Sequence, residues 1–174
     1  EQAAQIEELG QRLNVALARE VNRLQQYRSD FFGRLRDLLD ANPAIRVVGD
    51  RFVLPSELLF DSGSAALAGP GRAELAKLAA TLHDLALRIP ADIDWILRID
   101  GHTDRVPINT ARFASNWELS TARALSVVQF LVDQGIAPQR LSAAGFGEFH
   151  PIDPAATPDA LRRNRRIELK LTAR

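Results

Sequence analysis

Two side chains of opposite charge frame the chemistry this chain can perform. Asp104 closes the turn Gly101-His102-Thr103-Asp104, and Arg123 lies two turns into a helix that begins near Asn116. The segment between them, with Pro107 and Asn109, has the residue types of irregular backbone. A carboxylate at a strand end and a guanidinium in the first turns of a helix thus bracket one loop. Such a pair is a clamp for a ligand that carries both an ammonium and a carboxylate. The plainer use of the same residues is an internal salt bridge tying loop to helix, which when exposed is worth only about 0 to 1 kcal/mol.

The elements that must hold this pair are written in the pattern around it. Trp95-Ile96-Leu97-Arg98-Ile99-Asp100 alternates with period two, placing Trp95, Leu97 and Ile99 on one face of a half-buried strand. The helix from Asn116 runs through Ala124, Val127, Val128 and Leu131 toward Gly135, a natural C-terminal cap. Upstream, Ile45 to Leu54 reads as a hairpin turning at Gly49-Asp50. Leu58-Leu59-Phe60-Asp61-Ser62-Gly63-Ser64 resembles the opening signature of a known domain family, which implies a strand leaving into a loop beside the site. Gly69-Pro70-Gly71 opens a helix to about Arg88, with Pro90 beyond its end. Downstream, Leu141 to Gly145 is a short strand. Residues 146–163, with Pro151, Pro154 and Pro158, read as a loop, and Arg166 to Leu171 alternates as the last strand.

Residues 4–40 form one long helix with a narrow apolar stripe: Ile6, Leu9, Leu13, Leu17, Val21, Leu24, Phe31, Leu35 and Leu38, with Arg28 in the place between Leu24 and Phe31. From Leu17 on, the spacing alternates four and three, a heptad seam. Flanks rich in Arg, Glu and Gln favour a self-associating coiled coil over an amphipathic helix packed on its own domain. Asn42-Pro43 stops the helix.

Gly101-His102-Thr103-Asp104, Asn116-x-x-Leu119-Ser120-x-x-Arg123-Ala124, Gly145-Phe146-Gly147 and Asn164-Arg165-Arg166 together resemble the OmpA-like peptidoglycan-binding domain. The run Gly101 to Ile108 followed by Ser115-Asn116-Trp117-Glu118-Leu119-Ser120 is most similar to its MotB-type, flagellar stator-like branch. The similarity covers roughly residues 45–172. It implies an α+β fold, an α/β sandwich in which a small mixed sheet is covered on one face by helices, preceded here by the long N-terminal coiled coil. Residues 1–42 are then a dimerisation helix and residues 43–174 the wall-binding domain.

The resemblance also implies roles. Asp104 takes the ammonium, and Arg123 the carboxylate, at the far end of diaminopimelate in a peptidoglycan stem peptide. A planar guanidinium can make that carboxylate contact bidentate. Asn116 pins the loop and Thr103 orients Asp104. Backbone N–H groups at the start of the Asn116 helix add to anion binding. Arg165 and Arg166 open the last strand, where they support the binding loops or touch a ligand carboxylate. The implied setting is the periplasm of a bacterium. The implied partners are peptidoglycan, a second copy of the chain, and an inner-membrane partner reached through an upstream segment.

Composition narrows the alternatives. The chain has 22 basic and 22 acidic residues, and zero formal charge argues against capture of nucleic acid or anionic membrane. Its cations are 20 Arg with only Lys77 and Lys170, as GC-rich coding produces. There is no cysteine, hence no disulfide, thiol chemistry or Cys-based zinc site. His83, His102 and His150 stand far apart without ligand partners at metal spacing, and no Gly-x-Ser-x-Gly elbow accompanies Ser120. The expectation is therefore a binding module with no cofactor, no metal and no catalytic set. The Arg162-to-Arg166 cluster lacks interleaved aromatics, so it does not read as a nucleic-acid surface. No methionine occurs, including at position 1, so an upstream anchor is expected outside this sequence. The rival readings are a structural stator scaffold in which dimerisation dominates, an outer-membrane lipoprotein or porin-type tether, and an enzyme acting on the wall.

Overall fold

The period-two strand at Trp95 is one of the two longest in a five-stranded sheet, and the site is built at its C-terminal end. The computed structural model describes residues 1–39 and 44–174. The helix stop expected at Asn42-Pro43, and the side chain of Leu38, lie outside the described residues. In chain order the elements are α1 (Gln2–Leu39), β1 (Arg46–Val48), β2 (Arg51–Pro55), α2 (Ser56–Leu59), α3 (Gly69–Ala86), β3 (Trp95–His102), α4 (Asn116–Asp133), β4 (Leu141–Gly145), α5 (Pro158–Asn164) and β5 (Arg166–Ala173). The strand order is β1-β2-β5-β3-β4. β3 and β4 are parallel and joined through α4, while the other neighbours are antiparallel.

Alternation decides the two faces. Leu97 and Ile99 of β3 stand opposite Leu171 and Leu169 of β5, and Phe52 and Leu54 of β2 stand opposite Leu169 and Ile167. These side chains are buried in one core with Leu75, Leu78, Leu82 and Leu85 of α3 and Ala124, Val127 and Leu131 of α4. The apolar burial stabilises the sheet–helix layer by the usual removal of hydrocarbon surface from water. The opposite face carries Arg98, Asp100 and His102 beside Lys170, Glu168 and Arg166. Arg98 grips Asp100 through its Nε and Nη2 at 2.8 to 3.0 Å. The expected arrangement, a mixed sheet with helices on one face, is the one found.

Two local readings change. Residues 58–60 do not form a strand: Ser56–Leu59 is a single helical turn, and Phe60 pairs only with Leu67 in an isolated bridge. Pro55 ends β2, and Leu59 is then fully buried under Gly71, where an added Cβ would stand 2.7 Å from the Leu59 Cα. The stretch read as a loop to residue 163 contains α5. Thr157 caps it by accepting from the Ala160 N–H at 3.2 Å, and Pro158 occupies its first turn, where a missing N–H costs nothing.

The long helix divides in two. Leu24, Phe31, Phe32 and Leu35 are buried in the same core as α3 and the sheet. Phe32 packs on Phe52 with ring centroids 4.7 Å apart, and Arg28, interrupting the apolar stripe, donates from Nε to the Leu171 carbonyl at 2.9 Å. Arg23 pairs with Asp92 and Arg88 with Asp30, each at 2.9 Å. Before this docked half, Ile6, Leu9, Leu13, Leu17 and Val21 are 56 to 71% exposed. The seam expected to face a second helix throughout is thus used intramolecularly from Leu24 onward and is open before it.

Candidate functional site

Glycine at two strand ends lets α4 approach closely enough to build the site. A Cβ on Gly101 would stand 2.2 Å from the Ser120 carbonyl oxygen, and one on Gly145 would stand 2.0 Å from the Thr121 Oγ1. No side chain fits either gap, so α4 lies directly on the ends of β3 and β4. Ser120 donates to the Trp117 carbonyl and accepts from the Gly147 N–H at 3.0 Å, while Thr103 donates its N–H to the Gly147 carbonyl at 2.9 Å. Ser120 is therefore a splice between helix and loop, as its place in the helix's first turns suggested, and not a nucleophile.

Asn116, Leu119 and Arg123 lie on one face of α4 and share a cavity of about 510 Å³ with Asp104, Thr103, Glu57 and Arg165. Asp104 is 9% exposed, and its Oδ1 accepts from the Val106 N–H at 3.0 Å, an Asx turn that aims the other oxygen into the cavity. Thr103 donates to the Asp104 carbonyl at 2.8 Å. Asn116 donates to the carbonyls of Asp104 and Val106 at 3.3 and 3.1 Å. Thr103 and Asn116 thus act on the loop's backbone and hold its path, the part expected of Asn116.

Arg123 is only 4% exposed. Its Nε donates to the Ser64 carbonyl at 2.9 Å and its Nη2 to the Asp61 carbonyl at 3.3 Å, and its guanidinium lies 5.2 Å from the centre of the Phe60 ring. Among the described residues no carboxylate stands within ion-pair distance of it. Burial lowers its pKa from the ordinary arginine value, and the Arg165 charge acts in the same direction, against the pull of Glu57 and Asp104. Asp104 instead pairs with Arg165, Nη1 to Oδ2 at 2.7 Å. The internal bridge weighed between Asp104 and Arg123 is absent. Arg165, which also contacts Glu57 at 2.7 Å, is the cavity's second cation. Burial lowers the Arg165 pKa, but its hydrogen bonds to Asp104 and Glu57 outweigh that and raise it.

Arg166 sits elsewhere. It points to the far face of the sheet, donating to the Asn164 and His150 carbonyls at 3.0 and 2.8 Å, and does not line the cavity. Arg165 is the C-cap of α5 and Arg166 the first residue of β5, and the pair separates into one cavity residue and one loop brace. Beside it, His102 stacks on Phe146 at 5.0 Å, with its Nε2 3.0 Å from the Glu168 Oε2. Burial raises the Glu168 pKa, yet the His102 contact and the charges of Arg166 and Arg51 outweigh that and lower it to about 2.

The N-terminal end of α4 is capped by side chains on both sides of Asn116. Ser115 accepts from the Glu118 N–H at 3.4 Å and Glu118 reaches back to the Ala114 N–H at 2.9 Å, a capping box. The Glu118 N–H of the first turn is thus already engaged, and the Glu118 carboxylate adds negative charge at this end of α4. Sequence reasoning left Glu57 out altogether. It lies in a one-turn helix of which only Leu58 and Leu59 were read, as strand, and no pattern in the chain links it to Arg165.

Among the described residues no group of three or more His, Cys, Asp or Glu side chains is placed to hold a metal ion, and no helix is long and apolar enough to cross a membrane. Comparison with known proteins agrees with this architecture. Motility protein B of Bacillus subtilis is 32% identical over 123 residues, 70% of this chain and 44% of that protein. The chain thus spans less than half the length of that relative. A solved structure from Desulfovibrio vulgaris, described as a MotB-like protein, superposes with a TM-score of 0.70 at 31% identity, covering 89% of this chain and 99% of the other. The cell wall anchor of the T6SS from Pseudomonas aeruginosa superposes with a TM-score of 0.66 at 30% identity, covering 81% of this chain and 98% of that one. Residues 59–165, more than half of the sequence, match the OmpA family, to which this chain belongs, close to its MotB-like members.

Proposed function

We propose that the chain is a non-catalytic module that binds peptidoglycan in the periplasm and anchors the protein carrying it to the wall. The ligand is the diaminopimelate of a stem peptide, its far ammonium taken by Asp104 and its far carboxylate by Arg123. One observation carries this reading: Arg123 is buried on the cavity wall, fixed by two backbone carbonyls, with no carboxylate of its own among the described residues. A buried cation without a counter-ion is costly unless a ligand supplies one. Its fork is held at Nε and Nη2, so Nη1 remains to meet an anion. The relative named as a cell wall anchor and the motility protein relative support the same class of function.

Retention on purified sacculi tests the reading. Wild-type chain pellets with sacculi, and Asp104→Ala and Arg123→Ala each stay in the supernatant with unchanged circular dichroism. Retention of both variants at the wild-type level would move wall binding off this cavity. Release of muropeptides in the same tube would make the chain an enzyme instead. The open apolar stripe on the first half of α1 favours a second contribution, self-association through Ile6 to Val21, giving a homodimer with two wall-binding heads.

A further inference from the structure

The cavity holds two carboxylates and two guanidiniums, but they are not paired as a simple clamp. Arg165 holds both anions: its Nη1 is 2.7 Å from the Asp104 Oδ2, and its Nη2 and Nε are 2.7 and 2.9 Å from the Glu57 Oε1. Arg123 holds neither. Asp104 therefore meets any ligand with a cation already in place. The Arg165 backbone is fixed, its N–H donating to the Leu161 and Arg162 carbonyls and its carbonyl accepting from the Ser56 N–H at 3.0 Å. Its side chain is one-third exposed and the Glu57 side chain nearly half exposed, so the Glu57 end of the pair is the solvent-facing one.

We propose that Arg165 is a resident substitute for the ligand's ammonium, and that binding moves its guanidinium off Asp104 to rest on Glu57 alone. The inference rests on the reading that the cavity takes a group carrying an ammonium and a carboxylate. Charge balance supports the exchange. At rest, Arg165 neutralises a share of two anions and Arg123 is unpaired. With such a ligand bound, three pairs form: Arg165 with Glu57, Asp104 with the ammonium, and Arg123 with the carboxylate. No charge is left over and none must leave the cavity. A ligand with the carboxylate but no ammonium cannot drive the exchange, since Arg165 keeps Asp104. Arg165 thus makes recognition depend on the two charges arriving together, and Glu57 is the position that receives it.

Calorimetry on the full chain tests this with two soluble stem peptides. One carries diaminopimelate, and the other carries 2-aminopimelate, which keeps the far carboxylate and lacks the far ammonium. Arg165→Ala is expected to bind the diaminopimelate peptide about three- to tenfold tighter, the scale of a partly exposed ion pair no longer displaced. It should bind the 2-aminopimelate peptide no better than wild type, because the positive charge near Arg123 has fallen. Glu57→Gln, which leaves Arg165 with Asp104 alone, is expected to weaken the diaminopimelate peptide about threefold. It should leave the other peptide unchanged, and it decides the matter if Arg165→Ala does not fold. Equal weakening of both peptides by Arg165→Ala would make Arg165 a direct ligand of the carboxylate and overturn the exchange. Tighter diaminopimelate binding by Glu57→Gln would overturn it too. If the wild-type chain binds neither peptide, the reading of the cavity fails instead, a result distinguishable from either.

Discussion

Arg123 carries two jobs in one planar group, and that combination sets what can replace it. Its Nε and Nη2 are tied to the Ser64 and Asp61 carbonyls, so the remaining donors are aimed by the scaffold. Arg123→Lys keeps the charge but not the fork, and should bind stem peptide roughly tenfold or more weakly. Amidating the far carboxylate of diaminopimelate, or using a lysine-type stem peptide, removes the anion from the other side and should weaken wild-type binding by a similar factor. Titration by calorimetry measures both. Asp104 and Arg123 were legible as opposite charges at the two ends of one loop, Asn116 and Thr103 through the motifs that resemble the family, and all four line the cavity. Arg166 was harder to place, since it opens β5 on the face away from the cavity while its neighbour Arg165, the C-cap of α5, lines it. Glu168 gives a separate prediction at this scale. Its carboxyl titrates at about 2 in the fold against 4.5 when unperturbed, so its contribution is present above about pH 4.5 and is lost as pH falls toward 2. Glu168→Gln should therefore destabilise the fold by roughly 2 to 3 kcal/mol near neutral pH, and the difference should shrink toward about pH 2. Urea melts of both proteins across that range check the sign: a gap that grows on acidification would contradict it.

At the scale of elements, the site depends on how closely α4 lies on β3 and β4. Gly101→Ala places a methyl 2.2 Å from the Ser120 carbonyl oxygen, which belongs to the helix backbone and cannot rotate away. Overpacking of this kind costs about 1 to 3 kcal/mol, and the helix must shift by more than a rotamer change allows. The expected result is a melting temperature lowered by roughly 3 to 10 °C. Sacculus binding should fall with it, because the displaced helix carries Asn116 and Arg123. Gly10→Ala, where nothing stands within 4 Å of the added methyl and alanine favours the helix, is the control expected to lower neither. The strands and the two long domain helices were legible because period two and helical spacing each run through several residues. α5 was not, since three prolines across residues 151–158 read as loop, although Thr157-Pro158 is a helix start. α2 is too short to show any period, and its Leu59 is buried against α3.

For the molecule as a whole, the question is what α1 is for, and its two halves answer differently. The apolar spacing of the helix was visible in the sequence, but spacing alone cannot say whether a stripe meets a second helix or its own domain. Packing decides it: Leu24, Phe31, Phe32 and Leu35 complete the core beneath the sheet. Removing the whole helix would strip that core, so the two functions are separated by substitution. Leu35→Ala should destabilise the chain by about 2 to 5 kcal/mol in denaturant melts while leaving its oligomeric state alone. Leu13→Asp with Leu17→Asp changes two residues that are 60 and 56% exposed, so the domain should stay folded. If those positions form the seam between two copies, burying two carboxylates there is prohibitive, and sedimentation should change from dimer to monomer. Each monomeric head keeps its cavity, so affinity for a soluble stem peptide should be unchanged. Retention on intact sacculi should fall at least tenfold, because two linked heads rebind each other's vacated sites at high effective concentration. A wild-type chain already monomeric at tens of micromolar, about the range where a short coiled coil associates, would instead leave the open stripe to some other partner.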